Sequence, residues 1–211
     1  MIQIGGDADN IRYDKKLDMV FAGFGSGGIA CIDLVKLELI YKINLPAHPE
    51  SFQIDERKGL IFINVPGAGQ MDVIDIEKKT VVEKINLNVK SNFPKALDTI
   101  HQVIYIGSRN PPKLILFDEF SLNMTSEYNL PDDADDIYYD SSDSLIFVSC
   151  GSGFINIFKQ KDSKELILNE RIKSSPGART SLYVSRLNKL FITVPKNEFN
   201  KAKVVEYSIA H

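Results

Sequence analysis

The chain has 211 residues, 44% of them hydrophobic, enough apolar content to bury a large core in one domain or two. Lys plus Arg is 25 against 28 Asp plus Glu, a formal charge of −3, which leaves no broad electrostatic drive toward nucleic acid or an anionic membrane. No run of 18 apolar residues is present, and the first ten residues lack the basic and apolar regions of a signal peptide, so the expectation is a soluble chain with no membrane insertion.

In chain order, a short apolar segment, Met1 to Ile4, precedes an acidic turn, Asp7-Ala-Asp-Asn10. A strand and a charged hairpin (IRYDKKLD) lead into the apolar run Met19 to Gly23, then the loop GFGSGG, a third strand ending in Cys31-Ile-Asp33, and a polar fourth strand, Leu39 to Leu45. The series then starts again. An entry loop, His48-Pro-Glu-Ser51, precedes FQIDERKG, the run Leu60 to Asn64, a strand ending in Val73-Ile-Asp75, and Val81 to Leu87. The third unit enters through Asn92-Phe-Pro94 and carries Val103 to Gly107. The fourth enters through Asp133-Ala-Asp-Asp136 and carries Leu145 to Ser149. The fifth enters through Pro176 to Ser181 and carries Lys189 to Thr193. The runs align on Phe21, Phe62, Tyr105, Phe147 and Phe191, separated by 41, 43, 42 and 44 residues, a period that denotes a repeat architecture.

Four strands of about five residues joined by hairpin turns, without helical periodicity, make one antiparallel meander per repeat. The second strands are apolar on successive residues, so both faces are buried; the fourth strands alternate, with Lys42 and Asn44 against Leu39, Ile43 and Leu45. Small sheets stacked face to face, with the fourth strand outermost, satisfy that gradient. The sequence predicts an all-β fold, a single β-propeller domain with blades over about 7–45, 48–87, 91–130, 133–174 and 177–209. The fifth repeat supplies three strands, so Met1 to Ile4 is expected to pair into it and close the ring, giving a monomer; the alternative is a tail of a missing blade.

The aromatic-aliphatic second strands, such as LIFIN and VIYIG, with third strands ending VID or CID, resemble the YVTN-type propeller family. That resemblance implies a ring that is often seven-bladed, in proteins that are frequently periplasmic or secreted. The Trp-Asp signature of another propeller class is missing, since the chain has no tryptophan.

In such a meander the entry loops, and the loops between second and third strands, emerge on one face, and the charged hairpins on the other. Asp9, His48, Glu50, Asn92, Asp135, Asp136 and Arg179 all come from entry loops, and Arg109 from GSRNPPK. This mixture of carboxylate, imidazole, amide and guanidinium suits a small polar ligand or a hard cation such as calcium; the alternative is that Arg179 serves only to neutralise the aspartates. Asp7 and Asp133 read as turn-capping residues. GFGSGG lacks the helix and Lys of a phosphate cradle and reads as a tight β connection. The turns DKKLD, DERKG and DSSDS read as solvated hairpins. Cys31 and Cys150 form no metal-like spacing with His48, His101 or His211 and read as buried thiols, with no metal assigned.

No nucleophile–base set is visible, so the leading expectation is a non-enzymatic scaffold that binds a small polar molecule, a cation or a protein on the entry-loop face. The alternative is a metal-assisted hydrolase or lactonase with a cation held by Glu50, Asn92 and Asp135.

Overall fold

The protein, described here by a computed structural model covering residues 2–25, 27–198 and 201–209, is an all-β propeller of five antiparallel sheets, one per sequence repeat. Two single-turn 3-10 segments, Pro66–Ala68 and Ser185–Leu187, are the helical pieces among the described residues. Internal contacts divide the chain into two compact units, Met1–Phe93 and Pro94–His211.

The first unit holds two blades. Blade one comprises β1 (Ala8–Asp14), β2 (Met19–Phe24), β3 (Gly28–Asp33) and β4 (Glu38–Asn44); blade two comprises β5 (Phe52–Asp55), β6 (Leu60–Val65), β7 (Gln70–Asp75) and β8 (Thr80–Asn86). Both are up-and-down meanders in sequence order. Phe21, Ile29, Cys31 and Ile43 from one sheet interlock with Phe52, Ile61, Ile63 and Ile74 from the other. The burial gradient follows the expected rule: five of six residues in β6 are buried, while β4 buries only Ile43 and leaves its alternate positions exposed.

The second unit holds three blades. These are β9 (Lys95–Asp98) to β12 (Met124–Asn129) with β10 (Val103–Arg109) and β11 (Pro112–Asp118) between; β13 (Ala134–Asp140), β14 (Leu145–Cys150), β15 (Phe154–Gln160) and β16 (Leu166–Lys173); and β17 (Ser181–Val184), β18 (Lys189–Val194) and β19 (Lys203–Ser208). Tyr105, Leu114 and Leu116 pack against Ile146, Val148 and Phe158 of the fourth blade. Phe147 and Ile157 of that blade pack in turn against Leu190 and Ile192 of the fifth. Phe21, Tyr105 and Phe147 thus face the next blade of their own unit, and Phe21, Phe62, Tyr105 and Phe147 are fully buried. Phe191 is only half-buried.

The hairpins between first and second strands repeat with the same period. Asp18, Gly59, Gln102, Ser144 and Asn188 all have positive φ, between 51° and 66°, one left-handed residue per blade. The aspartates that end the first strands, Asp14, Asp55, Asp98 and Asp140, are buried, whereas turn residues such as Lys15, Lys16, Lys58 and Ser141 are exposed. Each accepts hydrogen bonds from amides of its own turn, such as Leu17 N to Asp14 at 3.0 Å and Arg57 N to Asp55 at 2.9 Å. Only the hairpin rims meet water. Both cysteines are buried and free, and burial pushes the Cys150 thiol up to about 12.

The expected pairing of residues 1–4 into the fifth sheet is corrected. The fifth sheet has three strands among the described residues, and residues 2–4 carry no strand; Met1 and Ala210 lie outside the described residues. Ile2 and Ile4 instead lie against Ala22, Phe24 and Ala30 on blade one. Two glycines at positive φ, Gly5 at 97° and Gly6 at 152°, turn the chain so that alternate isoleucines cover the apolar face of their own blade. The expected monomer, which depended on that closure, loses this support.

Candidate functional site

The two acidic entry turns occupy equivalent places. Gly25 N donates to Asp7 O at 3.0 Å in blade one, and Gly151 N donates to Asp133 O at 2.8 Å in blade four. Both following strands carry a bulge, between Asp9 and Ile11 in β1 and between Ala134 and Asp136 in β13, which re-aims the acidic side chains at the strand start.

In the second unit the turn is answered by guanidinium groups. Arg179 Nη1 lies 2.7 Å from Asp133 Oδ2 and its Nε 3.5 Å from Asp135. Arg109, at the end of β10, lies 3.0 Å from Asp133 Oδ1, donates to Ala134 O at 3.0 Å, and pairs with Asp135. The hydrogen bond that Arg179 donates to Asp133 is the main cause holding its pKa above the already high ordinary value. Gly151 makes the arrangement sterically feasible, since a Cβ there would sit 2.0 Å from Asp133 Oδ2. Asp136 accepts from Ser181 N at 2.6 Å. Asp133, read from sequence as a turn residue, is the hub of a four-member network drawn from three blades. Its signal in the sequence is the repeat of the acidic turn with Arg179 in the next entry loop.

In the first unit the equivalent turn meets an imidazole and a second carboxylate. His48 Nδ1 hydrogen-bonds Gly25 O at 2.6 Å, and Nε2 lies 3.6 Å from Asp9 Oδ2. Glu50 completes the group: one ligand atom from each of Asp9, His48 and Glu50 lies within 4.8 Å of the others. The Gly25 carbonyl, followed by Asp9 and Glu50, raises the His48 pKa against the opposing cost of burial. Gly23 permits the approach of the two loops, because a Cβ there would meet Asp9 O at 2.9 Å and Pro49 Cγ at 3.1 Å.

Beside this group opens a cleft of about 760 Å³, lined by His48, Glu50, Lys90, Ser91, Phe93 and the turn Pro66–Gly69. Lys90 and Ser91 escaped the sequence reading; they lie just before the Asn92–Pro94 entry loop. Asn92 itself is fully buried and donates to Gln70 O at 3.1 Å, so its amide serves the interior. A second cleft of similar volume, beside Arg179, is lined by Thr180, Thr193, Pro195 and Lys203; Phe199 and Asn200 of the neighbouring basic loop lie outside the described residues. The loop GFGSGG runs directly into β3, as a β connection does; its Ser26 lies outside the described residues. Arg57 and Lys58 sit past the far end of β5 from His48, around a separate pocket floored by Cys31 and Tyr41.

No protein-family model matches the sequence, and no curated protein is similar to it. Solved structures are similar in fold. The chain superposes on hydrazine synthase of Kuenenia stuttgartiensis with a TM-score of 0.75 at 12% identity, over 92% of this chain and 60% of that one. A functionally unknown protein from Desulfotomaculum acetoxidans gives 0.76 at 12% identity, over 96% and 75%. The Cps50 (Swd1) β-propeller domain of Myceliophteria thermophila gives 0.73 at 14%, over 90% and 63%. The chain therefore spans 60–75% of the length of these structures. At such identities the likeness concerns the propeller fold, which hosts unrelated activities.

Proposed function

We propose that the protein is a non-catalytic propeller scaffold of the YVTN type that binds a small polar molecule carrying both charges in the cleft of its first unit. The YVTN assignment rests on the repeated second strands around Phe62 and Tyr105 and on third strands ending in Asp33 and Asp75. The observation that carries the binding reading is the cleft itself: Glu50, His48 and Lys90 line it together with the Pro66–Gly69 turn and Phe93. Opposed charges around a partly apolar wall match the build of ligand pockets. The hydrolase alternative asks Glu50, Asn92 and Asp135 to share a cation; Asn92 is buried and Asp135 is engaged by two arginines, so these residues do not support it.

Isothermal titration with a panel of free amino acids tests the reading. At least one should bind, and Lys90→Ala should abolish the heat while far-UV circular dichroism stays unchanged. No heat from any member, or undiminished binding in Lys90→Ala, defeats it.

A further inference from the structure

We propose that Asp9, His48 and Glu50 form a mononuclear site for a borderline divalent cation, with zinc as the probe. The inference goes beyond the cleft reading, because metal capture needs no cleft ligand.

Three features of the group carry it. The first is orientation. His48 Nδ1 is committed to Gly25 O at 2.6 Å; a carbonyl only accepts, so this nitrogen carries the proton in the neutral ring and Nε2 presents its lone pair toward Asp9. A backbone carbonyl that fixes the tautomer and ring plane in this way is the usual outer partner of a metal-bound histidine. The second is spacing. Tetrahedral zinc with bonds of about 2.0–2.1 Å sets its ligand atoms about 3.3 Å apart. Nε2 and Asp9 Oδ2 already stand at 3.6 Å, and all three ligand atoms lie within 4.8 Å. A side-chain rotation of Glu50 or Asp9 on the order of 1 Å closes the set, leaving a fourth position for water.

The third is charge. The equivalent acidic turn of blade four, Asp133 and Asp135, is paired with Arg109 and Arg179. The blade-one turn brings together two carboxylates and an imidazole, which suits a divalent cation. The nitrogen ligand and the small number of donors select a zinc-like ion over calcium, which takes six to eight oxygens. Nothing in the linear spacing of positions 9, 48 and 50 resembles a metal motif; the loops of two blades create the set.

The test uses the full, tag-free chain after chelator treatment, titrated with zinc chloride by calorimetry. One ion per chain is expected. His48→Ala and Glu50→Gln should each weaken binding by about 100-fold or more, since outer-shell partners alone are worth 10–100-fold. His101→Ala should bind zinc as the parent does, and the zinc titration contains no amino acid, so failure of the cleft reading and failure of the metal site are separable. Absence of stoichiometric zinc binding, retention of it in Glu50→Gln, or preference for calcium over zinc overturns the proposal. If His48→Ala loses its circular dichroism signature, Asp9→Asn with Glu50→Gln decides instead: loss of zinc with the fold intact supports the site, and retention defeats it.

Discussion

Replacing Asp98 with alanine isolates what the buried turn aspartates contribute. The Asp98 carboxylate accepts from Ile100 N at 2.9 Å, His101 N at 3.1 Å, the His101 imidazole at 2.7 Å and Gln160 Nε2 at 3.2 Å. Hydrogen bonds to a charged acceptor are each worth about 1.5–3 kcal/mol. The turn amides and the half-exposed His101 ring regain water on truncation, whereas Gln160, 6% exposed, keeps an unsatisfied amide. The expected loss is therefore about 3 kcal/mol, and about half that for Asp98→Asn, which keeps a neutral oxygen for the two turn amides. Urea unfolding followed by far-UV circular dichroism measures it, since the chain has no tryptophan to report by fluorescence. The pH dependence supplies an independent arm. Burial raises the Asp98 pKa, but the His101 and Gln160 bonds outweigh it and hold the folded value below the ordinary one. The stability so contributed is present above the unfolded pKa of about 3.9 and is lost as pH falls through the lower folded value. Asp98→Ala should lack that component. A loss below about 1 kcal/mol, or an unchanged acid limb in the variant, refutes the reasoning.

Phe147→Ala should cost about 3–5 kcal/mol, because the ring is fully buried and stacked on Tyr183 at 4.6 Å, whereas Phe191→Ala at the half-buried repeat position should cost about 1–2; equal losses in denaturant titration would contradict the reasoning from burial. Gly151→Ala should displace the Asp133 carboxylate and cost about 1–3 kcal/mol, and pairing it with Arg179→Ala should be less than additive in a double-mutant cycle. Gln102→Gly should raise stability by about 0.5–1 kcal/mol, since it relieves a left-handed residue at φ 58°; a lowered unfolding midpoint would show that the side chain contributes more than the strain costs.

The sequence by itself determined the repeat, the strand order within each blade and the all-β class. Those follow from local physics: side chains alternate along a strand with period two, and the hairpins are marked by Asp and by residues that tolerate positive φ, such as Asp18, Gly59 and Asn188. The two acidic turns were also legible as equivalent, because equivalence is itself a periodic property. Tertiary structure alone decided what each turn meets. Asp133 meets Arg109 and Arg179, Asp9 meets His48 and Glu50, and Asn92 is withdrawn into the interior. Likewise Ile2 and Ile4 cover blade one rather than completing the fifth sheet. Such pairings depend on which loops of neighbouring blades approach within hydrogen-bonding reach. That approach is set by sheet packing and by close passes over Gly23 and Gly151, to which a one-dimensional pattern of apolar and polar residues is blind.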